Sequence, residues 1–195
     1  MPYSPEHKQQ TRARIVETAR ILFNRHGFSD VSIDAIMAEA GLTRGGFYSH
    51  FKNKAELFAE TVDSFLHGRG AEWRRSAGVD TSIGGPAMAQ QMIDGYLSNE
   101  HLGDLDGQCP MIALPSDVAR RDQQVQQSYQ NLFSAMVNLF EHNLDTNEQQ
   151  SRQDALSLAA LCVGGMVLAR TLADAELANE VRQAAQATAI EMCNL

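Results

Sequence analysis

The stretch Gly41-Leu42-Thr43-Arg44-Gly45-Gly46-Phe47-Tyr48-Ser49-His50-Phe51-Lys52-Asn53-Lys54 decides the fold. Gly41 stands where a helix must end in a left-handed conformation, which glycine enters at no steric cost. Thr43 is a helix N-cap, and Leu42 before it is placed to pack on Phe47 as a hydrophobic staple. Phe47 and Phe51 fall at i and i+4 and share one buried face. Arg44, Tyr48, His50 and Lys52 are left to project from a very short helix. Such a display suits a surface that lies on DNA, where phosphate contacts position the protein and base contacts specify sequence.

Working outward, Ser32 is a second N-cap, and Val31 with Ile36 repeats the staple spacing. Ile33, Ile36, Met37 and Ala40 follow at i, i+3, i+4 and i+7, one face of a helix that stops at Gly41. Helix, glycine turn and short helix form a helix-turn-helix. Asn53 then caps a fourth helix, with Glu56 in capping-box spacing.

The segment from about Thr11 to Val62, with its core AEAGLTRGGFYSHFKNKAELF, closely resembles the N-terminal domain of TetR/AcrR-type transcriptional regulators. The phrase Ala-Gly, then Phe-Tyr-x-His-Phe, then Lys-x-Glu-Leu carries the resemblance, over about a quarter of the chain. It implies an all-α protein: a three-helix helix-turn-helix DNA-binding domain over 1–53, then a helical effector-binding and dimerisation domain over 54–195.

Charge is distributed accordingly. Through residue 55 there are eight bases and five acids, a net +3, so the rest of a chain at −8 carries −11. A mildly basic head on an acidic body fits DNA binding through one end only. The three cysteines, Cys109, Cys162 and Cys193, are odd in number and widely spaced, and the sequence starts without a signal-peptide pattern, so a reduced, cytoplasmic setting is expected. The longest apolar run, Leu158 to Ala169, is short of the roughly 20 residues of a membrane span and is expected to be a buried helix, with no membrane partner.

Periodicity predicts a first helix over about 6–26, the two motif helices, and a fourth running from Asn53 as far as Trp73. A breaker-rich loop over 76–86 follows. Helices are expected over about 86–102, 117–144, 149–173 and 175–192, with a short segment at Pro110; no stretch alternates long enough for a strand.

Within the motif, Gly45 and Gly46 are costly helix residues, each about 1 kcal/mol worse than alanine. Either their bare backbone presses against base edges, which is the favoured reading, or they relieve crowding against the preceding helix. Lys54 opposes the dipole of the helix it begins, a cost that vanishes if a phosphate docks there. The resemblance implies that Lys54 contacts the DNA backbone, that Tyr48 and His50 bond phosphates, and that Ser32 and Thr43 supply hydroxyls. Arg44 is the candidate reader of guanine O6 and N7, an interaction worth roughly 1–3 kcal/mol of discrimination.

The run Leu158–Ala169 is apolar all round, so one face meets its own domain and the other a second chain. Leu158, Ala160, Leu161, Gly164, Gly165, Val167 and Leu168 are the expected homodimer interface, Ala160 and the glycines allowing close approach. The resemblance implies the same pairing through the last two helices. A dimer places two heads roughly 34–36 Å apart, so the operator should be near-palindromic double-stranded DNA. The resemblance also implies a small-molecule effector among the central helices. His67, Trp73, Met92, Tyr96, Met111, Tyr129, Phe133 and Met136 are candidate lining residues, core packing being the alternative for each. Cys109, at the N-cap set up by Pro110, could lie near this pocket or sense oxidants as a dipole-activated thiol; packing under a loop is the plainer alternative.

An enzyme reusing the scaffold finds little support. The histidines at 7, 26, 50, 67, 101 and 142 form no metal-ligand pair, and no phosphate loop or nucleophile triad is present. No cofactor is expected. An architectural DNA binder is disfavoured by the acidic body.

Overall fold

A computed structural model describes residues 4–144 and 148–193. Among the described residues all regular structure is helical. The elements are α1 (Pro5–Asp30), α2 (Ile33–Glu39), α3 (Arg44–Phe47), α4 (Lys54–Asp63), α5 (Arg69–Ser76), α6 (Gly85–Tyr96), α7 (Asn99–Gly103), α8 (Pro110–Ala113), α9 (Pro115–Ala119), α10 (Gln123–Glu141), α11 (Glu148–Thr171) and α12 (Ala175–Cys193). Contacts divide the chain into two units, 1–66 with 105–130, and 67–104 with 131–195. The N-terminal helices thus group with α4, α8 and α9, a wider unit than the 1–53 domain expected from the sequence.

In the first unit α1 starts at Ser4, whose Oγ accepts the His7 N–H at 3.2 Å. Its regular helix breaks at Gly27, φ 75°, close to the expected end. A Cβ there would lie 2.9 Å from Asp117 Oδ2, the same oxygen that accepts the Phe28 N–H at 3.2 Å. Glycine is therefore required by conformation and by the approach of α9. The core fills with Ile15, Ala19, Phe23, Ile36, Phe47, Leu57 and Phe58, all fully buried. Phe58 meets Phe23 edge-on at 5.0 Å and Phe28 at 4.9 Å, which joins α4 to α1. Arg25 pairs with the Asp106 carboxylate, and buried Arg20 and Asn24 donate to the backbone carbonyls of Asp106 and Gln108, which holds the 105–130 segment to α1.

In the second unit α11 packs along α12, and α12 along α6. The α11–α12 approach is close: a Cβ on Gly165 would lie 2.7 Å from the Ala185 Cβ. Ala178, Arg182, Ala185, Ala189 and Cys193 form the buried face of α12. Arg182 is tolerated there because it donates to the Leu97 carbonyl and to Asn179 Oδ1.

Three expected long helices are each broken. The fourth stops at Asp63 and resumes at Arg69. Thr61 and Ser64 hydroxyls bond back to the carbonyls of Phe58 and Thr61, an arrangement that bends helices, and glycines 68 and 70 follow. The 86–102 helix stops at Tyr96 because Ser98 caps a new one, accepting the His101 N–H at 3.0 Å. The 117–144 helix divides at Asp122, whose Oδ1 accepts the Val125 N–H at 3.2 Å.

Within one chain the helix that carries the apolar run is covered on one side only. Ala155, Leu158, Ala159, Cys162, Met166 and Ala169 are buried, whereas Leu156 and Leu168 are 41% and 52% exposed. Residues 150–171 are long and apolar enough by composition to cross a membrane, yet one side of this helix lies on α12.

Candidate nucleic-acid interface and effector cavity

The two motif helices hold their surfaces through caps and core. Ser32 Oγ accepts the Ala35 N–H at 3.0 Å, and Asn53 Oδ1 accepts the Glu56 N–H at 2.8 Å. Glu56 reaches back to the Lys52 N–H at 2.6 Å, one residue earlier than in a regular capping box. Thr43 occupies the N-cap of α3, but its hydroxyl accepts no capping bond; its carbonyl accepts the Gly46 N–H instead. Phe47 and Phe51 are buried, 5.6 Å apart, as the i,i+4 spacing required.

On this base Thr43, Arg44, Gly45, Tyr48 and Lys52 are exposed, while His50 and Gly46 are half-buried. A Cβ on Gly45 would meet nothing within 4 Å, and one on Gly46 would make only ordinary contacts with Met37 and Thr43. Neither glycine is needed to relieve crowding from α2, so the packing explanation for them falls away.

Three site residues sit differently from their sequence expectation. Arg44 is engaged by Asp34 of α2 at 2.6 Å, both side chains more than half exposed. Lys54 turns inward: its Nζ donates to the carbonyls of Phe28 and Val31, both at 2.7 Å, and lies 4.2 Å from the centre of the Phe28 ring. Those two carbonyls offset the dipole cost. Burial pushes the Lys54 ammonium below the ordinary lysine range, Arg121 adds to that, and Asp117 and Asp30 oppose it. His50 lines a cavity of about 490 Å³ with His7, Lys8, Thr11, Thr43 and Ser49, so the start of α1 joins the candidate surface. Burial first, then Lys8 and Arg12, push its imidazole below 6.5, favouring the neutral ring.

Sequence reasoning missed Asp34, His7, Lys8 and Thr11. Asp34 leaves no signal, because an acid in a first helical turn is also an ordinary dipole partner. The expected effector residues are divided. Cys109, Met111 and Tyr129 lie in the first unit, where the Tyr129 hydroxyl donates to the Met111 carbonyl at 3.2 Å. Burial, with the Cys109 thiol adding, pushes the Tyr129 phenol up to about 12. Cys109 is the N-cap of α8 as expected, but only 2% exposed, which weighs against direct attack by an oxidant. His67, Trp73, Met92, Tyr96, Phe133 and Met136 lie in the second unit; His67 is exposed, whereas Met92, Tyr96 and Met136 are buried. Of these, Trp73 lines a cavity of about 490 Å³ in that unit, together with Arg69, Asp94, Gly95, Glu100, His101 and Asp104. Of the expected dimer residues, Leu158 and Gly165 face their own unit's core, whereas Ala160, Leu161, Gly164, Val167 and Leu168 are exposed or half-buried.

Residues 15–61 match the family model described as bacterial regulatory proteins, tetR family. Residues 15–61 thus carry a TetR-type N-terminal domain. Over 62 residues it is 45% identical to the HTH-type transcriptional regulator TtgR of Pseudomonas putida, a match that covers 32% of this chain and 29% of that protein. Over 55 residues it is 44% identical to the HTH-type transcriptional regulator AcrR of Shigella flexneri, 28% of this chain and 26% of that protein. These matches therefore span under a third of either relative. The TetR-like fold extends further. The reduced form of Escherichia coli NemR matches with a TM-score of 0.73 at 17% identity, over 93% of this chain and 96% of that one. A TetR-family regulator from Agrobacterium tumefaciens matches at 0.72 and 20% identity, over 93% and 98%.

Proposed function

We propose that the chain is a homodimeric transcriptional regulator, in the simplest case a repressor, that leaves a near-palindromic operator when a small molecule binds. The open backbone at Gly45, flanked by exposed Thr43, Arg44, Tyr48 and Lys52, carries this reading. A helix with no side chain at that point can bring its N-terminal end against base edges of the major groove, while its neighbours reach bases and phosphates. Arg44 exchanges Asp34 for a guanine. Ser32, Thr43, Tyr48, His50 and Lys52 bond phosphates. Lys54 has a third N–H donor beyond the two given to Phe28 and Val31, and that one serves the DNA backbone.

The dimer reading is supported by the uncovered half of α11. Leu156, Leu161, Val167 and Leu168 are apolar yet exposed or half-buried, and would be shielded by the same face of a second copy. Association through helices near the C-terminus leaves both DNA-binding domains free to take successive major-groove turns.

Selection of bound sequences from a random DNA pool tests the reading. The unaltered protein should recover an inverted repeat. Arg44→Ala should lose the preference at one position of each half-site, a loss of roughly 1–3 kcal/mol. Recovery of no common sequence, or an unchanged preference in Arg44→Ala, would contradict it.

A further inference from the structure

The cavity of the second unit has a composition that selects for charge. Its wall carries Asp94, Glu100 and Asp104 against a single cation, Arg69. Arg69 is held by Asp104 at 2.7 Å, and lies 3.8 Å from Glu72. Among the described residues no cation pairs with Asp94 or Glu100, which leaves the cavity wall acidic. Asp94 accepts a bond from the Gln186 amide at 2.8 Å, a neutral partner that does not offset it.

The floor is aromatic. Trp73 lies 4.5 Å from His101 and 5.9 Å from Tyr96, centre to centre. Gly95 brings the backbone of α6 against this indole: a Cβ there would sit 3.6 Å from Trp73 Cζ2. His101 is 2% exposed. Its Nδ1 sits 2.8 Å from the Tyr96 carbonyl, which can only accept, so that nitrogen carries the proton. The other ring nitrogen, Nε2, is then a lone-pair acceptor, and no partner for it is found among the described residues. A shielded acceptor left in this state, on a residue that lines a cavity, is a place for a donor from outside.

We propose that this cavity, between α5, α6 and α7, binds an amphipathic organic cation: a protonated amine on an aromatic or branched apolar body. The apolar body lies against Trp73, Ala77 and Gly95. The ammonium faces Asp94 and Glu100, and one of its N–H groups satisfies His101 Nε2. An indole face also attracts cations. The proposal rests on the effector-controlled reading above and gives its ligand a site and a charge.

Trp73 is the chain's one tryptophan, so its fluorescence reports on this cavity alone. Full-length protein would be titrated with three compounds of matched shape: 4-tert-butylbenzylamine, 4-tert-butylbenzyl alcohol and 4-tert-butylbenzoate. The amine should change the emission saturably, the alcohol more weakly, and the carboxylate not at all. Asp94→Asn and Glu100→Gln, both exposed and expected to fold, should each weaken the amine. His101→Phe should weaken it roughly tenfold, the loss of one charge-assisted hydrogen bond. Carboxylate binding equal to amine binding, no saturable change with any of the three, or amine binding untouched in all three variants would overturn the site. Binding to the selected duplex, measured without these compounds, stands apart from that result. A protein that holds DNA but ignores the amine refutes only the site. One that binds the amine but never DNA keeps the site and refutes the regulator.

Discussion

Gly45 separates folding from binding within one residue. Its Cβ position is empty, and it lies in a helix, so Gly45→Ala should stabilise the protein by about 0.5–1 kcal/mol while weakening DNA binding. Thermal unfolding and operator titration should move in opposite directions; a parallel fall in both would mean that the glycine serves the fold. Asp34 gives a complementary prediction. Exposed ion pairs such as Arg44–Asp34 are worth about 0–1 kcal/mol, so the pair restrains Arg44 only weakly, but the carboxylate also repels phosphate. Asp34→Asn should raise affinity for DNA of any sequence, less so as salt increases, in a gel-shift series. His101 predicts a pH effect. Burial is the main cause holding its imidazole below 6.5, the value it regains on unfolding, so the unfolded chain takes up a proton first on acidification. Its contribution to stability is complete above about pH 6.5 and lost as pH falls through the folded value, and His101→Gln should flatten that slope in urea titrations. The motif side chains were legible in the sequence because turn chemistry and i,i+4 spacing fix them locally. The partners of Arg44 and Lys54 were not: Asp34 is ten residues away from Arg44, and the carbonyls of Phe28 and Val31 lie more than twenty residues from Lys54.

At the scale of elements, caps decided more than hydrophobic stripes. The helix starts at Ile33, Arg44 and Lys54 were readable from Ser32, Thr43 and Asn53. The internal breaks at Ser64, Ser98 and Asp122 were not, because each stripe continues in phase across its break. Ser98 and Asp122 are nevertheless capping residues in plain view, which periodicity outweighed. Asn53 carries the cap that fixes the start of α4 directly after the candidate DNA surface. Asn53→Ala should cost about 1 kcal/mol, read as a lower urea midpoint with an unchanged slope. A change within about 0.3 kcal/mol would show that Glu56 and its bond to Lys52 hold that turn without the cap.

For the whole molecule, helical content and the TetR-like plan were legible, since amphipathic periods and one motif suffice for them. The grouping of residues 105–130 with the N-terminal helices was not, because it depends on Arg25, Asn24 and Gly27 meeting Asp106, Gln108 and Asp117 across more than eighty residues. The cavity lined by Trp73 was not legible for a related reason: Asp94, Glu100 and His101 read as ordinary polar side chains until the fold gathers them. The central claim is that two chains join through the open half of α11 and present paired heads to one duplex. Sedimentation equilibrium of the protein with its selected duplex tests it most directly. Two chains per duplex are expected, falling apart with Leu168→Glu; a single chain per duplex at undiminished affinity, or free single subunits at micromolar concentration, would contradict it.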